Sequence, residues 1–546
     1  MASDDVLVAR AREWLAQDPD PETRAELQAL LDAGAPLDDR FGAELRFGTA
    51  GLRGELGAGP NRMNRVTVMR AAAALAEVLG PGKHVVVGYD ARHKSEVFAR
   101  DTAAVLTGAG LRASVMAKPW PTPVLAFAVR HLGCAAGVMV TASHNPPRDN
   151  GYKVYWGDGI QIVPPVDREI ADAIARVGRV DRLPLGTEWE TLTADRIVAP
   201  YLEAVTGLPI GDARDVRVAY TPLHGVGGEV LAAAFRRAGF PEPAVVAAQA
   251  APDPDFPTVG FPNPEEPGAM DRLLDLAAEI GADIAIANDP DADRCAVAVP
   301  TPDGSWRMLT GDEVGGLLAE HVLAHTSGDD RVVATTVVSS SLLGRIAAAH
   351  GVRHAVTLTG FKWIARAGGP GERLVFGYEE ALGYTVGTDA GLPVRDKDGI
   401  GAALVIAGLA AAAKRDGRTL LDLLDDQARR YGVHATAQLS VRVTDLERIR
   451  RAMASLRAEP PRELGGRVVE SIDDLAAGVD GLPPTDGLRY RLAGDARVVI
   501  RPSGTEPKLK CYMEVVVPVA GSVADARARA DRALDAIRDD LAAIVG

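Results

Sequence analysis

Three times along the chain an apolar strand runs into a polar, Gly-containing loop, an amphipathic helix, a glycine and a second apolar strand. The first copy runs from Lys83 to Met116, with "HVVVGYD", a helix ending near Gly110 and "LRASVM". The second runs from Asp215 to Val246, where "VRVAYTPLHGVGG" feeds a helix stopped by Gly239, and the third from Arg331 to Leu358, with "VVATTVVSSS", a helix, Gly351 and "VRHAVTL". Glycine after each helix suits a left-handed C-terminal cap, and unbroken Val/Ala runs suit strands covered on both faces. Each copy is therefore a βαβ candidate. More than about 100 residues separate the copies, too many for a solenoid, so the pattern predicts three similar α/β domains.

In every copy another helix and another apolar strand follow, and that strand ends in an unusual polar loop. The loops are "TASHNPPRDNGYK" after "AAGVMV", "NDPDADR" after "ADIAIA" and "GYEEALGY" after "ERLVF". Ligands of open α/β sheets gather outside the carboxyl ends of strands, so the three loops could share one cleft. The last 110 or so residues differ: "TAQLSVRV", "RYRLAG", "ARVVIRPSG" and "KCYMEVVV" alternate like antiparallel strands. A helix from about Val523 to Ile544 follows, with Ser522 as N-cap and Asp525 placed for a capping box. The expected division is a polar helical extension (1–40), α/β domains at 41–205, 206–325 and 326–434, and an α+β domain at 435–546.

Composition narrows the class. Lys+Arg number 60 against 74 Asp+Glu, a net charge of −14, and no basic run offsets it, so neither nucleic acid nor an anionic membrane is an expected partner. The longest uncharged apolar stretch, Gly399 to Ala413, is shorter than the roughly 20 residues a bilayer requires and reads as a buried helix. Asp4 and Asp5 stand where a secretory signal has basic residues, and Cys134, Cys295 and Cys511 are far apart without metal-ligand spacing. Both features suit a cytoplasmic protein with reduced thiols.

Four loops carry candidate chemistry. Ser143 lies in a strand-to-loop turn where Pro146 and Pro147 stop the sheet, so its hydroxyl is expected to be presented rather than packed. A serine needs a base, a metal or an electropositive site to act as nucleophile; His144 is adjacent and Lys153 lies ten residues on. Asp289, Asp291 and Asp293 alternate, so an extended segment would turn three carboxylates to one side, as a hard cation such as Mg²⁺ needs. An EF-hand fails, because its sixth position would be Arg294 and its twelfth Pro300; Arg294 is the one cation beside the trio in sequence. Glu379 and Glu380 suit sugar hydroxyls, which donate to ionised carboxylates, though a solvated loop is the alternative.

"RPSGTEPKLK" combines Arg501, Ser503, Gly504, Thr505 and Lys508, a guanidinium, two hydroxyls and a free backbone N–H that suit a phosphate dianion; a basic hairpin turn is the alternative. The Gly-rich stretch "RFGTAGLRGELGAGPNRMN" lacks the context of a dinucleotide fingerprint and leaves Arg53 as an anion contact. Lys362 in "TGFKW" is a further cation or an exposed helix-start lysine.

With these four loops in this order the chain resembles the α-D-phosphohexomutase superfamily, the phosphoglucomutases and phosphomannomutases, over nearly its whole length. The resemblance implies four domains, three α/β and one C-terminal, each sending a loop into a central cleft. It implies that Ser143 carries the transferable phosphoryl group. Asp289, Asp291 and Asp293 would bind Mg²⁺ with the phosphoserine as a further ligand. Glu379 would read sugar hydroxyls, and Arg501, Ser503, Gly504 and Thr505 would clamp the other phosphate. Arg53 and Lys153 match basic residues usually given acid/base duty. Ala381 stands where many relatives have Ser, and "GYEEALGY", "TGFKW" and "TPLHGVGG" look more like the branch holding phosphopentomutases.

The expected activity is interconversion of sugar 1-phosphate and 6-phosphate, of glucose or mannose, through a sugar 1,6-bisphosphate that also primes the enzyme. Phosphopentomutase and a metal-dependent sugar phosphatase or phosphotransferase are the alternatives, and a catalytically silent sugar-phosphate sensor is a third. The expected partners are sugar phosphates, with a monomer or weak homo-oligomer as the assembly.

Overall fold

The structure, a computed structural model, describes residues 4–48, 50–443, 446–503 and 508–545. Among these residues the strands form four sheets. The first holds β1 (Leu52–Glu55), β2 (His84–Tyr89), β3 (Arg112–Met116), β4 (Ala136–Val140), β5 (Asp149–Trp156) and β6 (Glu190–Leu192), in the order β1-β5-β4-β2-β3-β6. The second holds β7 (Val218–Thr221), β8 (Ala244–Val245), β9 (Ile284–Ala287), β10 (Ala296–Pro300) and β11 (Trp306–Met308), in the order β11-β10-β9-β7-β8. The third orders β12 (Arg331–Thr336), β13 (Arg353–Thr357), β14 (Arg373–Glu379) and β15 (Gly383–Val386) as β13-β12-β14-β15. The fourth is antiparallel, β16-β21-β20-β19-β18-β17, from β16 (Val433–Arg442), β17 (Glu463–Leu464), β18 (Arg467–Asp474), β19 (Leu488–Leu492), β20 (Ala496–Pro502) and β21 (Lys508–Val517).

The repeat seen in the sequence is a repeat of topology. β3-β2-β4-β5, β8-β7-β9-β10 and β13-β12-β14-β15 are one arrangement: three parallel strands and an antiparallel fourth. Each polar loop lies where the third strand turns into the fourth, at the carboxyl end of the parallel set. Gly110, Gly239 and Gly351, after the three crossover helices, all have positive φ, as the C-terminal caps require. β4 and β9 are buried at every residue, which explains their unbroken apolar sequences.

By contacts the chain divides into two units. The first comprises the described residues of Met1–Ile210, Arg214–Met308 and Pro393–Ala407, and so holds the first two sheets. The second comprises Gly211–Ala213, Leu309–Leu392 and the described residues of Gly408–Gly546, with the other two. The N-terminal extension is helical at Asp4–Leu15, Pro21–Asp32 and Asp38–Phe41, and it is not polar throughout: Leu7, Ala11, Trp14 and Leu27 pack on Val66, Met69, Ala72 and Val105. The apolar stretch from Gly399 forms the helix Gly399–Arg415, and no described helix is long and apolar enough to cross a membrane.

In the fourth sheet the helix Leu446–Ala458 and strands β17 and β18 were not anticipated. β18 is largely exposed along "RVVESIDD", so neither face carries the apolar alternation that marks a strand. The helix Val523–Val545 begins as expected, with Ser522 Oγ accepting from the Asp525 N–H at 3.0 Å.

Candidate metal and phosphoryl-transfer site

Ser143 is fixed by backbone that its own sequence makes unusual. Its φ is 52°, a left-handed conformation that costs a non-glycine residue energy, and its N–H donates to Thr141 Oγ1 at 2.8 Å. Arg92, itself buried, gathers the loop by donating to the carbonyls of Ser143 (2.7 Å), Asn145 (2.5 Å), Pro146 (2.8 Å) and Asp149 (3.1 Å). The expectation of a presented serine is corrected: Ser143 is 2% exposed, and its Oγ donates to Asp289 Oδ2 at 2.8 Å and lies 3.1 Å from His144 Nδ1. The hydroxyl is packed because the aspartate loop closes over it. Burial, then Arg294, Arg53 and Lys397, hold the His144 imidazole well below its ordinary pKa, so it is neutral. Arg53, on β1, donates to Asn145 Oδ1 at 2.9 Å. Arg46 is exposed, while Arg62 pairs with Asp39 and Glu55.

Asp289, Asp291 and Asp293 are all fully buried, and one carboxylate oxygen from each lies within 4.8 Å of the others. A solvated acidic turn is thereby excluded. The convergence does not come from an extended segment, as alternation suggested. Ala292 has φ 55° and its N–H donates to the Asp289 carbonyl at 2.8 Å, so a tight turn brings the carboxylates together. Nor is Arg294 the one cation present. Lys153 Nζ, on β5, lies 2.9 Å from Asp291 and 3.2 Å from Asp293, and Lys397 Nζ lies 3.2 Å from Asp293. Arg294 sits beside the loop, its N–H donating to Asp289 Oδ1 at 3.1 Å and its guanidinium to Glu265 at 3.3 Å.

The electrostatics separate these carboxylates. Burial, then the charges of Asp293 and Asp291, push Asp289 well above the ordinary carboxylate range. Burial also opposes the charge of Asp291, but Lys153 and Thr122, whose Oγ1 donates at 2.7 Å, outweigh it and bring Asp291 below that range. Lys153 is held above its ordinary value because Asp291 and Asp293 overcome its burial. Asp291 Oδ1 and Asp293 Oδ1 are buried and have no hydrogen-bond partner among the described residues. Buried carboxylate oxygens without donors are costly, and three hard oxygen ligands facing one point suit a divalent cation, so the donor set fits a metal.

Lys397 was not singled out by sequence reasoning. It sits in "RDKDG", where Asp396 accepts from Tyr155 Oη (2.6 Å) and Gln161 (2.9 Å), and Asp398 from Tyr201 Oη (2.7 Å). A charge-dense run just before the longest apolar helix was its only mark. Arg92 and Thr122 were missed too, since an arginine in a loop and a threonine at the start of the helix Thr122–His131 carry no chemical pattern of their own.

The remaining candidates lie in the second unit. Glu379 ends β14, paired with Gly383. Glu380 accepts from Ser339 Oγ at 3.1 Å and Thr336 Oγ1 at 3.3 Å, and burial, then Glu379 and Asp312, push it up to about 7. The hydroxyl-bound setting of Glu380 is concealed in the sequence, where it is one of two adjacent glutamates. Lys362, in the short helix Phe361–Ile364, is buried at 3% exposure rather than an exposed helix-start residue. Arg501 lies on β20 opposite Lys510, and the Ser503 N–H donates to the Lys508 carbonyl at 2.8 Å, closing the base of the hairpin. Gly504 and Thr505 lie outside the described residues.

The chain matches, in order, the phosphoglucomutase/phosphomannomutase alpha/beta/alpha domains I (residues 44–180), II (199–304) and III (310–431) and the C-terminal domain (439–530). It is 45% identical over 461 residues to the "Probable phosphomannomutase" of Haemophilus influenzae, covering 83% of this chain and 93% of that one. It is 36% identical to the "Probable phosphoribomutase" of Schizosaccharomyces pombe, covering 93% and 94%. A solved structure of a phosphomannomutase candidate from Thermus thermophilus superposes with a TM-score of 0.68 at 28% identity, covering 90% of this chain and 99% of that one. The chain therefore belongs to the phosphoglucomutase/phosphomannomutase family of phosphomutases, isomerases that transfer phosphate within a substrate.

Proposed function

We propose that this protein interconverts the 1-phosphate and 6-phosphate of glucose or mannose, with Ser143 as the phosphoryl carrier and Mg²⁺ as the metal. The observation that carries this reading is the Ser143 hydroxyl 2.8 Å from Asp289, within a buried carboxylate cluster that has oxygens to spare. Asp289, Asp291 and Asp293 hold the ion, with the modified serine as a further ligand. When bound, Mg²⁺ neutralises charge on the phosphoryl oxygens.

The chain's own residues supply the rest. Phospho-Ser143 gives its phosphoryl group to the free hydroxyl of a sugar monophosphate; the new P–O bond forms as the serine P–O bond breaks, and a bisphosphate results. The bisphosphate turns around, its other phosphate returns to Ser143, and the isomer is released. The proton of the attacking sugar hydroxyl passes to the serine oxygen as the serine P–O bond breaks; His144 lies within reach of Ser143 Oγ, but burial and three neighbouring cations disfavour its taking up that proton. Lys153, held charged by two carboxylates, and Arg53 balance the transferring group's charge. Within the second unit Glu379 and Glu380 are the candidates for reading hydroxyls, Arg501, Ser503, Gly504, Thr505 and Lys508 for holding a phosphate and Lys362 for a further cation; in the first unit that further cation is Arg294.

A pentose substrate is the second reading, favoured by the relative named a phosphoribomutase, which matches across 93% of the chain. Initial rates on glucose 1-phosphate, mannose 1-phosphate and ribose 1-phosphate with Mg²⁺, with and without a sugar bisphosphate, rank the substrates. Fast release of inorganic phosphate with no isomer formed would defeat the mutase reading in favour of a phosphatase.

A further inference from the structure

Between Asn288 and Arg294 the chain leaves β9, makes the aspartate turn and comes back toward β10. Asn288 is fully buried and spans the base of that turn. Its Nδ2 donates to the Arg294 carbonyl at 2.6 Å, and its Oδ1 accepts from Tyr220 Oη at 2.9 Å. Tyr220, on β7, is 1% exposed and stands opposite Ile286 of β9. Neither residue touches a carboxylate of the trio in these bonds, yet together they fix the two ends of the loop that carries it.

We propose that Tyr220 and Asn288 are positioning residues for the metal loop: by clasping its ends they keep the three carboxylates converged and so set its affinity for a divalent cation. The inference rests on the metal reading above and extends it to residues that bind no ion.

Three features of the surroundings support it. Three buried carboxylates within 4.8 Å of one another repel, and Lys153 and Lys397 pair only with Asp291 and Asp293, so a restraint at the ends of the turn helps to hold the trio together. Ala292, at φ 55°, is in a conformation that persists only where neighbours over-determine it. Those neighbours are backbone fitted closely to the loop: a Cβ on Gly225 would fall 2.3 Å from Pro290 Cα, and the Val226 N–H donates to the Pro290 carbonyl at 2.8 Å. A Cβ on Gly227 would fall 2.9 Å from both Ala292 Cβ and Tyr220 Oη, and one on Gly399 would fall 2.2 Å from the Arg294 carbonyl oxygen. The loop is held in a mould with the Tyr220–Asn288 pair at its neck, and organisation present before binding does not have to be achieved during it.

The test is Mn²⁺ binding to the full chain, read from the electron paramagnetic resonance of free Mn²⁺ well below the melting temperature, with Mg²⁺ as competitor. Tyr220→Phe removes only the hydroxyl and is expected to weaken binding about 10- to 100-fold, the range found when groups behind metal ligands are altered. Asn288→Ala is expected to weaken it at least as much; if that chain does not fold, Tyr220→Phe decides alone. Tyr378→Phe is the control, because its hydroxyl is equally buried and donates to Asp312 at 2.9 Å in the other unit. It should leave Mn²⁺ affinity unchanged. Wild-type affinity in Tyr220→Phe, or equal weakening in Tyr378→Phe, overturns the proposal. A wild-type chain that binds no Mn²⁺ overturns the metal reading itself.

Discussion

Burial and two neighbouring charges keep a proton on Asp289 past the pH at which an unfolded chain would release it. The stability this proton confers is complete below the ordinary value of 3.8 and is lost as pH rises through the raised folded value. Without metal, removing that proton at high pH makes Asp289 a strain on the fold. Asp289→Asn should raise the melting temperature of the metal-free protein, by roughly 2–4 °C per kcal/mol relieved, and abolish any rise on adding Mg²⁺. Calorimetry in chelator and in Mg²⁺ checks both; a lower metal-free midpoint would refute the electrostatic account. Ser143→Ala should cost on the order of 10³-fold or more in turnover, measured as isomer formed, with the Mg²⁺-dependent stabilisation kept. The serine was legible as a residue type in a Pro-stopped turn, but its burial was not, because the groups covering it lie 146 positions away.

At the scale of elements, the turn after β12 and the strand β21 are joined by one buried carboxylate. Glu514 is 3% exposed and accepts from Ser340 Oγ (2.6 Å), the Ser341 N–H (2.8 Å) and Arg497 Nε (2.7 Å). Burial opposes its charge, but Arg497, His434 and Ser340 outweigh it and depress its pKa. Its stabilisation is present above the ordinary 4.5 and is lost as pH falls through the folded value. Arg497→Ala leaves that carboxylate buried without its cation and should destabilise the second unit by about 3–5 kcal/mol, read as a lower urea midpoint. Glu380 has the opposite sign: raised to about 7, it gives stability that is whole below 4.5 and gone as pH rises through 7. Glu380→Gln should therefore melt higher than wild type at pH 8 and show no gain at pH 4. The βαβ elements were readable because apolar runs and glycine stops are local. Exposed β18 and the Glu514 junction were not, since one lacks a pattern and the other joins residues 174 apart.

For the molecule as a whole, a ligand that binds only the folded state stabilises it by mass action, about 2.7 kcal/mol at a hundred times its dissociation constant. Saturating Mg²⁺ should raise the melting temperature and chelation should reverse it; identical midpoints in Mg²⁺ and chelator would sink the metal reading. The order of the domain-type repeats, the places where polar loops leave the sheets and the residue types in those loops were all set by the sequence alone. Strand period, helix stops and turn chemistry are written in neighbouring residues, and a parallel α/β sheet then puts its loops at one end. The tertiary structure decided which distant groups become partners. It placed Lys153 and Lys397 on the aspartates, Arg92 under the serine loop and a tyrosine at the neck of the metal turn. It also set Glu380 against the Ser339 and Thr336 hydroxyls. Those outcomes depend on through-space distance and on exclusion of water, and neither quantity exists until strands far apart in the chain have folded side by side.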